Sequence, residues 1–134
     1  MREILFKAKT ISGNWVNGLL ANKDDKWYIS NKAGSPFAYE VRPETLCQFT
    51  GLCDKNGKKI WENDIVLITE NVYSTVKFGL YHEAGKSERT HQGFYLESMD
   101  KYYYREELGY WAKESVVVGN IFDNKELLQE GSDE

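Results

Sequence analysis

The sequence predicts an all-β protein, and three observations support that class. Apolar and polar residues alternate with the period of a strand in most segments, as at Ile4, Phe6 and Ala8. Turn-forming residues separate these segments at short intervals, and Asn56-Gly57 is the strongest hairpin signal among them. A helical pattern occurs only near the end of the chain. We therefore expect short strands joined by tight turns.

The first 46 residues predict a meander of four strands. Pro43 cannot donate a hydrogen bond to a sheet, so we expect it to end this section, with a lobe boundary near Leu46. The predicted division is a meander lobe, 1–46, and a second lobe, 47–134, although one structural unit is also compatible with the pattern. The predicted strands cover residues 4–8, 15–20, 27–30 and 37–41, with turns at 12–14, 22–26 and 31–36.

The second lobe is also predicted to be mostly strand. Asn56-Gly57 predicts a tight turn of the primed type, because both residues tolerate positive φ. Residues 82–92 are polar and predict a mobile loop, while 100–113 fit either a strand or irregular structure. Asp123 and Glu126 match a capping box, which predicts a short C-terminal helix. The predicted strands here cover residues 48–52, 65–69, 73–81, 94–98 and 115–121.

Composition limits the class of protein further. The chain has 134 residues, of which 41% are hydrophobic, and no apolar run approaches the roughly 20 residues that cross a bilayer. Its net charge of -4 gives no basic surplus for loose binding to nucleic acid. Cys47 and Cys53 are too few for a disulfide framework. We expect a protein of a bacterial cytoplasm, with reduced thiols and no membrane partner.

Three stretches resemble the YopX family. The run 41–66, VRPETLCQFTGLCDKNGKKIWENDIV, is similar to the family signature; 118–128, VGNIFDNKELL, is similar to its closing segment, and 2–8, REILFKA, to its opening. The resemblance implies a small phage or prophage protein with an SH3-like barrel in the second lobe and no established activity. Asn63 stands where the family often has glycine, so we expect a left-handed backbone there. Neither Cys47 nor Cys53 matches the family pattern.

Two motifs for cofactors or metals are incomplete. The run 84–87, Ala-Gly-Lys-Ser, ends like a phosphate-binding loop, but the glycine required five residues earlier is Leu80. Cys47, Cys53, His82 and His91 have a spacing that fits no common zinc site. We expect a polar loop and ordinary thiols, with no cofactor and no metal.

The sequence gives few signs of acid–base chemistry. His82-Glu83 and Glu106-Glu107 are the only paired candidates, and both lie in polar segments where surface charge is the simpler interpretation. Asp54 and Asp64 are better explained as residues that accept hydrogen bonds from local backbone N–H groups. An enzyme is therefore disfavoured, and a small enzyme with a dispersed site is our third hypothesis.

A tyrosine-rich segment is the candidate binding surface. Alternation along a strand places Tyr102 and Tyr104 on one face and Tyr103 on the other, with Arg105 and Trp111 nearby. Exposed aromatic residues anchor protein interfaces or stack on bases, and they also fill barrel cores. We interpret the chain as a non-enzymatic accessory protein that binds an unknown protein partner, with weak self-association. A single-stranded nucleic-acid-binding barrel is the alternative.

Overall fold

The structure is a computed structural model that describes residues 5–30, 38–68, 72–83, 86–98 and 107–130. The described residues form two antiparallel sheets with short helices, so the all-β prediction is confirmed. Contacts divide the chain into two compact units, Met1–Gly51 and Leu52–Glu134. The predicted lobes, 1–46 and 47–134, and the closure of strands into an SH3-like barrel stay predictions. Among the described residues, no helix has the length and apolar character needed to span a membrane.

The first unit is a meander whose strands follow the order β4-β3-β2-β1-β5. Its buried centre is formed by Ala8, Ile29 and Val41, one residue from each of three strands. The opposite side of β1 is basic, and the ammonium groups of Lys7 and Lys9 lie 4.9 and 5.6 Å from the Trp15 ring centroid. The strands are β1 (Phe6–Lys9), β2 (Trp15–Lys23), β3 (Lys26–Ser30), β4 (Tyr39–Val41) and β5 (Cys47–Cys53), with a 3-10 turn at Pro43–Thr45.

A primed hairpin turn occurs in this unit, between β2 and β3. Lys23 pairs with Lys26, which leaves Asp24 and Asp25 as a two-residue loop, and both have positive φ, +53° and +64°. The prediction of a primed turn at Asn56-Gly57 is wrong, because only Gly57 has positive φ there, +82°. The Gly57 N–H instead closes a turn onto the Asp54 carbonyl at 3.0 Å.

The second unit contains a four-stranded sheet of order β10-β7-β8-β9. Residues Ile60, Val66, Ile68, Val76, Leu96, Leu108 and Ala112 form its core. The strands are β6 (Lys59–Trp61), β7 (Asp64–Ile68), β8 (Val72–Glu83), β9 (Lys86–Ser98) and β10 (Ser115–Asn120). The helices are α1 (Leu108–Trp111), which a 3-10 turn at Ala112–Glu114 continues, and α2 (Glu126–Glu130).

Three local predictions differ from this unit. The loop predicted over 82–92 is wrong at 82–83 and 86–92, because β8 and β9 pair from Ser74↔Ser98 to Glu83↔Lys86 and cross-strand pairing satisfies the backbone whatever the side-chain polarity; residues 84–85 lie outside the described residues. Residues 100–113 were predicted as strand or irregular; 100–106 lie outside the described residues, and the rest contains α1 and most of the 3-10 turn. The C-terminal helix is confirmed, but Glu126 is its first residue rather than the third helical residue that a capping box requires.

Candidate functional site

The hairpin of β8 and β9 changes character along its length. Near Val76 and Leu96 it covers the core, and both residues are buried. Farther along, the same alternating face carries Phe78 and Leu80, which are 48% and 69% exposed. We call residues 77–83 and 86–95 the arm. The arm continues the strand pairing while the apolar side chains of β8 become exposed.

The exposed apolar side of the arm is compact. Phe78 pairs in register with Phe94, and the two rings meet edge to face with centroids 4.9 Å apart. Leu80 lies two residues beyond Phe78 on the same side of β8. We call Phe78, Leu80 and Phe94 the arm face. Phe94 is half-buried against the core, and the adjacent exposed side chains of Phe78 and Leu80 are typical of contact surfaces.

Two tyrosine rings lie on the other side of the arm. The ring centroids of Tyr81 and Tyr95 are 6.0 Å apart. A Cβ added at Gly79 would lie 3.6 Å from the Tyr95 ring, and one at Gly93 would lie 3.8 Å from the Tyr81 ring, so each ring covers a glycine of the opposite strand. Burial, and then the charge of Glu107, raise the pKa of Tyr81. Its hydroxyl therefore stays neutral at physiological pH.

A groove lies on the tyrosine side of the sheet, toward α2. It has a volume of about 520 Å³, within the usual range of small-molecule pockets. Its lining combines two ammonium groups, one carboxylate and an apolar wall. We call it the lysine groove, and it is lined by Thr75, Lys77, Glu97, Ile121, Phe122, Lys125 and Leu128.

Strand register explains the floor of the lysine groove. Thr75 pairs with Glu97 across β8 and β9, and Lys77 follows Thr75 by two residues, so all three side chains project from one face. The Lys77 ammonium donates a hydrogen bond to Asn63 Oδ1 at 3.3 Å, which fixes one cation at the edge of the floor.

Asn63 connects the floor of the groove to its wall. Its φ is +71°, which confirms the left-handed backbone predicted from the resemblance. The Asn63 N–H donates to the Val76 carbonyl at 2.7 Å, and the Asn63 carbonyl accepts from the Ile121 N–H at 3.0 Å. The residue therefore holds β8 and the start of the wall in fixed positions.

The wall begins in a turn organised by two asparagine side chains. Asn120 Oδ1 accepts from the N–H groups of Phe122 and Asp123, both at 2.9 Å, and Asn124 Oδ1 accepts from the Asn120 N–H at 3.1 Å. A Cβ on Gly119 would overlap the Asn124 side chain. Glycine is therefore required at residue 119 by close packing, and the turn presents Ile121 and Phe122 to the groove.

Asp54 is hydrogen-bonded both to its own turn and to β10. Its carboxylate accepts hydrogen bonds from the N–H groups of Asn56, Lys58 and Val117, all at 2.9 Å. Burial raises the pKa of this carboxyl, but the three hydrogen bonds and the charge of Lys58 more than offset it, so the pKa lies below its ordinary value. Asp64 similarly accepts from the Trp61 N–H at 2.8 Å. The backbone role predicted for both aspartates is confirmed.

The tyrosine cluster predicted as the binding surface falls mostly outside the described residues. This applies to Tyr102, Tyr103, Tyr104 and Arg105. Trp111 lies in α1, half-buried against the core of the second unit, and its ring meets that of Tyr110 edge-on at 4.8 Å. The binding role of all five residues stays a prediction.

The other motifs have structural placements. Lys86 and Ser87 begin strand β9, whereas a phosphate-binding loop needs a helix at that point. Cys47 is buried and Cys53 is exposed at the two ends of β5, where Gly51 interrupts the alternation with a φ of +86°. Across the described ranges, no three His, Cys, Asp or Glu side chains are grouped so as to hold a metal ion.

Sequence reasoning missed both the arm face and the lysine groove. The alternation of Val76, Phe78 and Leu80 places them on one face of a strand but carries no signal for where the burial of that face ends. Lys77 and Lys125 are 48 residues apart in the sequence, and no spacing rule connects them.

The sequence was compared with models of protein families and with curated proteins. The family model described as YopX protein matches residues 7–129, nearly the whole chain. The search of curated proteins found no match.

Proposed function

The chain belongs to the YopX protein family, and we propose that it is a non-enzymatic interaction module that binds protein through the arm face. We further propose a phage or prophage origin and a place of action in the cytoplasm of a bacterial host. The observation that carries the interaction role is the exposure of Phe78 and Leu80, 48% and 69%, side by side on one paired hairpin.

The occupant that we propose for the arm face is a second copy of this chain. Phe78, Leu80 and Phe94 carry no charge, so the face does not repel its own copy. Two such faces related by a twofold axis bury the same side chains on both partners, which is the common geometry of a symmetric dimer. Paired aromatic and leucine side chains are suited to that contact.

The small size of the arm face predicts a weak dimer. Stable complexes usually bury about 800 Å² on each partner, and three side chains supply only part of such an area. We therefore expect association that rises with protein concentration rather than an obligate assembly.

Single-stranded nucleic acid fits the arm less well. The three residues of the arm face, Phe78, Leu80 and Phe94, carry no positive charge, and the rings of Tyr81 and Tyr95 on the other side cover glycines of the hairpin. Glu107 lies close enough to Tyr81 to raise its pKa, so a phosphate there would meet a carboxylate. An enzyme with a dispersed site remains the third hypothesis, and no described cluster supports it.

Sedimentation velocity across a concentration series tests the proposal. We expect the average mass to rise with concentration, and Leu80→Lys to return the protein to a monomer without unfolding it. Leu19→Lys is the matched control, because Leu19 is 42% exposed on β2 in the first unit. It should associate like the parent.

Two results would overturn the proposed occupant. The first is a parent that stays monomeric at every concentration, and the second is a Leu80→Lys variant that associates as strongly as the parent. Salt-sensitive binding of the parent to an oligonucleotide, lost in Lys77→Met and kept in Leu80→Lys, would favour the nucleic-acid alternative instead.

A further inference from the structure

The lysine groove combines two kinds of surface that one ligand can satisfy together. Ile121, Phe122 and Leu128 form an apolar wall, while Lys77 and Lys125 bring ammonium groups to the same cavity. Its volume of about 520 Å³ is sufficient for a small organic molecule.

The charge in the groove favours a ligand with a single negative charge. Lys77 and Lys125 carry two positive charges against one negative charge on Glu97, although the whole chain has a net charge of -4. A surplus of one cation matches one carboxylate, whereas a diphosphate or triphosphate brings more charge than two lysines beside a glutamate neutralise.

The backbone around the floor favours a molecule without amide groups. Strand β8 is internal to the sheet, where Thr75 pairs with Ile65 on one side and with Glu97 on the other. The backbone of Thr75 at the centre of the floor is therefore flanked by paired strands on both sides and gives a peptide little to bond with. A hydrocarbon chain makes no hydrogen bonds, so its binding does not depend on free backbone groups.

We propose that the lysine groove binds a small apolar carboxylate, with its hydrocarbon body against Ile121, Phe122 and Leu128 and its carboxylate at Lys77 and Lys125. The inference does not depend on the proposed dimer, because Thr75 and Lys77 project from the opposite side of β8 to the arm face.

Titration of the full chain with octanoate, octanol and octylamine, followed by backbone NMR shifts, tests the proposal. These probes have the same number of carbon atoms and differ in the charge and chemistry of the head group. We expect octanoate to bind saturably and shift the signals of Ile121, Phe122 and Leu128, and octanol to bind about tenfold more weakly. Octylamine should bind less than octanol.

Variants locate the site. Lys77→Met should weaken octanoate binding about tenfold, as expected when a charge-assisted hydrogen bond is lost. Lys125→Met tests the second cation without disturbing the bond between Lys77 and Asn63. Lys113→Met is the matched control, because Lys113 is exposed outside the groove, and it should bind like the parent.

Three outcomes would overturn the proposal. They are equal binding of octanoate, octanol and octylamine, unchanged octanoate affinity in both Lys77→Met and Lys125→Met, and shifts confined to Phe78 and Leu80. Loss of the dimer with octanoate binding retained would refute the proposed function alone. Dimerisation with no octanoate binding would refute this inference alone.

Discussion

The two ends of strand β8 carry the same alternating pattern and have opposite surroundings. At its base, residues 74–76, every side chain is buried, and Val76 has no exposed surface. In the arm, two and four residues beyond Val76, Phe78 and Leu80 are largely exposed. The base is covered by Leu108 and Ala112, and Phe94 also packs against this core, whereas Phe78 and Leu80 are left largely exposed. Periodicity therefore determines which face is apolar, and covering elements determine where that face is buried.

The largest expected effect comes from placing a charge at each end of this face. Val76→Asp should destabilise the protein by about 3 to 5 kcal/mol, because it buries an unpaired carboxylate in the core. Leu80→Asp should change stability by less than about 0.5 kcal/mol, because the new charge stays in water. Urea denaturation at low protein concentration measures both. Equal losses would show that the arm is buried after all.

The second unit also depends on a buried polar contact outside β8, between Asp54 and the backbone of its own turn and of β10. Asp54→Ala should cost about 2 to 4 kcal/mol, because three backbone N–H groups lose a charged acceptor and β10 loses its hold on the turn. Thermal melts followed by circular dichroism measure the loss. A loss no larger than that of an exposed lysine variant such as Lys113→Ala would contradict the role assigned to Asp54.

The same carboxylate predicts a dependence of stability on pH. The pKa of Asp54 is lower in the folded than in the unfolded state, so the folded protein favours the ionised form. This contribution is complete above the ordinary carboxyl pKa, and it is lost as the pH falls through that value and the lower folded-state pKa. Asp54→Asn should reduce the dependence of the free energy of unfolding on pH in this range, as measured by urea denaturation at several pH values. An unchanged dependence would contradict the role assigned to the Asp54 hydrogen bonds.

Two glycines can be compared in the same way, Gly119 in β10 and Gly79 in the arm. Gly119→Ala should cost about 1 to 3 kcal/mol, because the new Cβ overlaps Asn124 and displaces the hydrogen bond to Asn120. Gly79→Ala in the arm should change stability by about 0.5 kcal/mol or less, because its Cβ makes ordinary contact with Tyr95. Melting temperatures of the two variants measure the difference. A lower melting temperature for Gly79→Ala than for Gly119→Ala would contradict this prediction.

A loss smaller than that of Gly119→Ala is expected in the turn that precedes β6. Gly57→Val should cost about 1 to 2 kcal/mol, because a β-branched residue is forced to a φ of +82°. Lys55→Val is the matched control in the same turn, where the backbone φ is not positive. Equal melting temperatures for the two variants would remove the backbone explanation.

Sequence reasoning succeeded where a residue's role is local. Asn63, Asp54 and Asp64 have the backbone roles that their residue types predict, since each acts mainly on neighbouring N–H groups or on its own φ. The primed turn was misplaced because Asn-Gly has the better intrinsic propensity, while the register of β2 and β3 imposes positive φ on Asp24 and Asp25.

The candidate sites were not predictable for a different reason. The exposure of Phe78 and Leu80 depends on where α1 and the 3-10 turn end, and neither element was predicted. The lysine groove brings residues 75–77 together with 121–128, and such long-range proximity has no local signal. Propensity describes single segments, whereas a site depends on how segments meet.

The order of strands in the second sheet has a consequence for synthesis on the ribosome. Strand β7 lies between β8 and β10, and β10 emerges last of the three. One edge of β7 therefore stays open while roughly fifty further residues are translated, about 3 to 10 s at ordinary elongation rates. During that interval Ile65 and Val66 are on a nascent chain whose final partner does not yet exist. Slower translation of this stretch lengthens the time available for aggregation, and chaperones that bind nascent apolar strands act in the same interval.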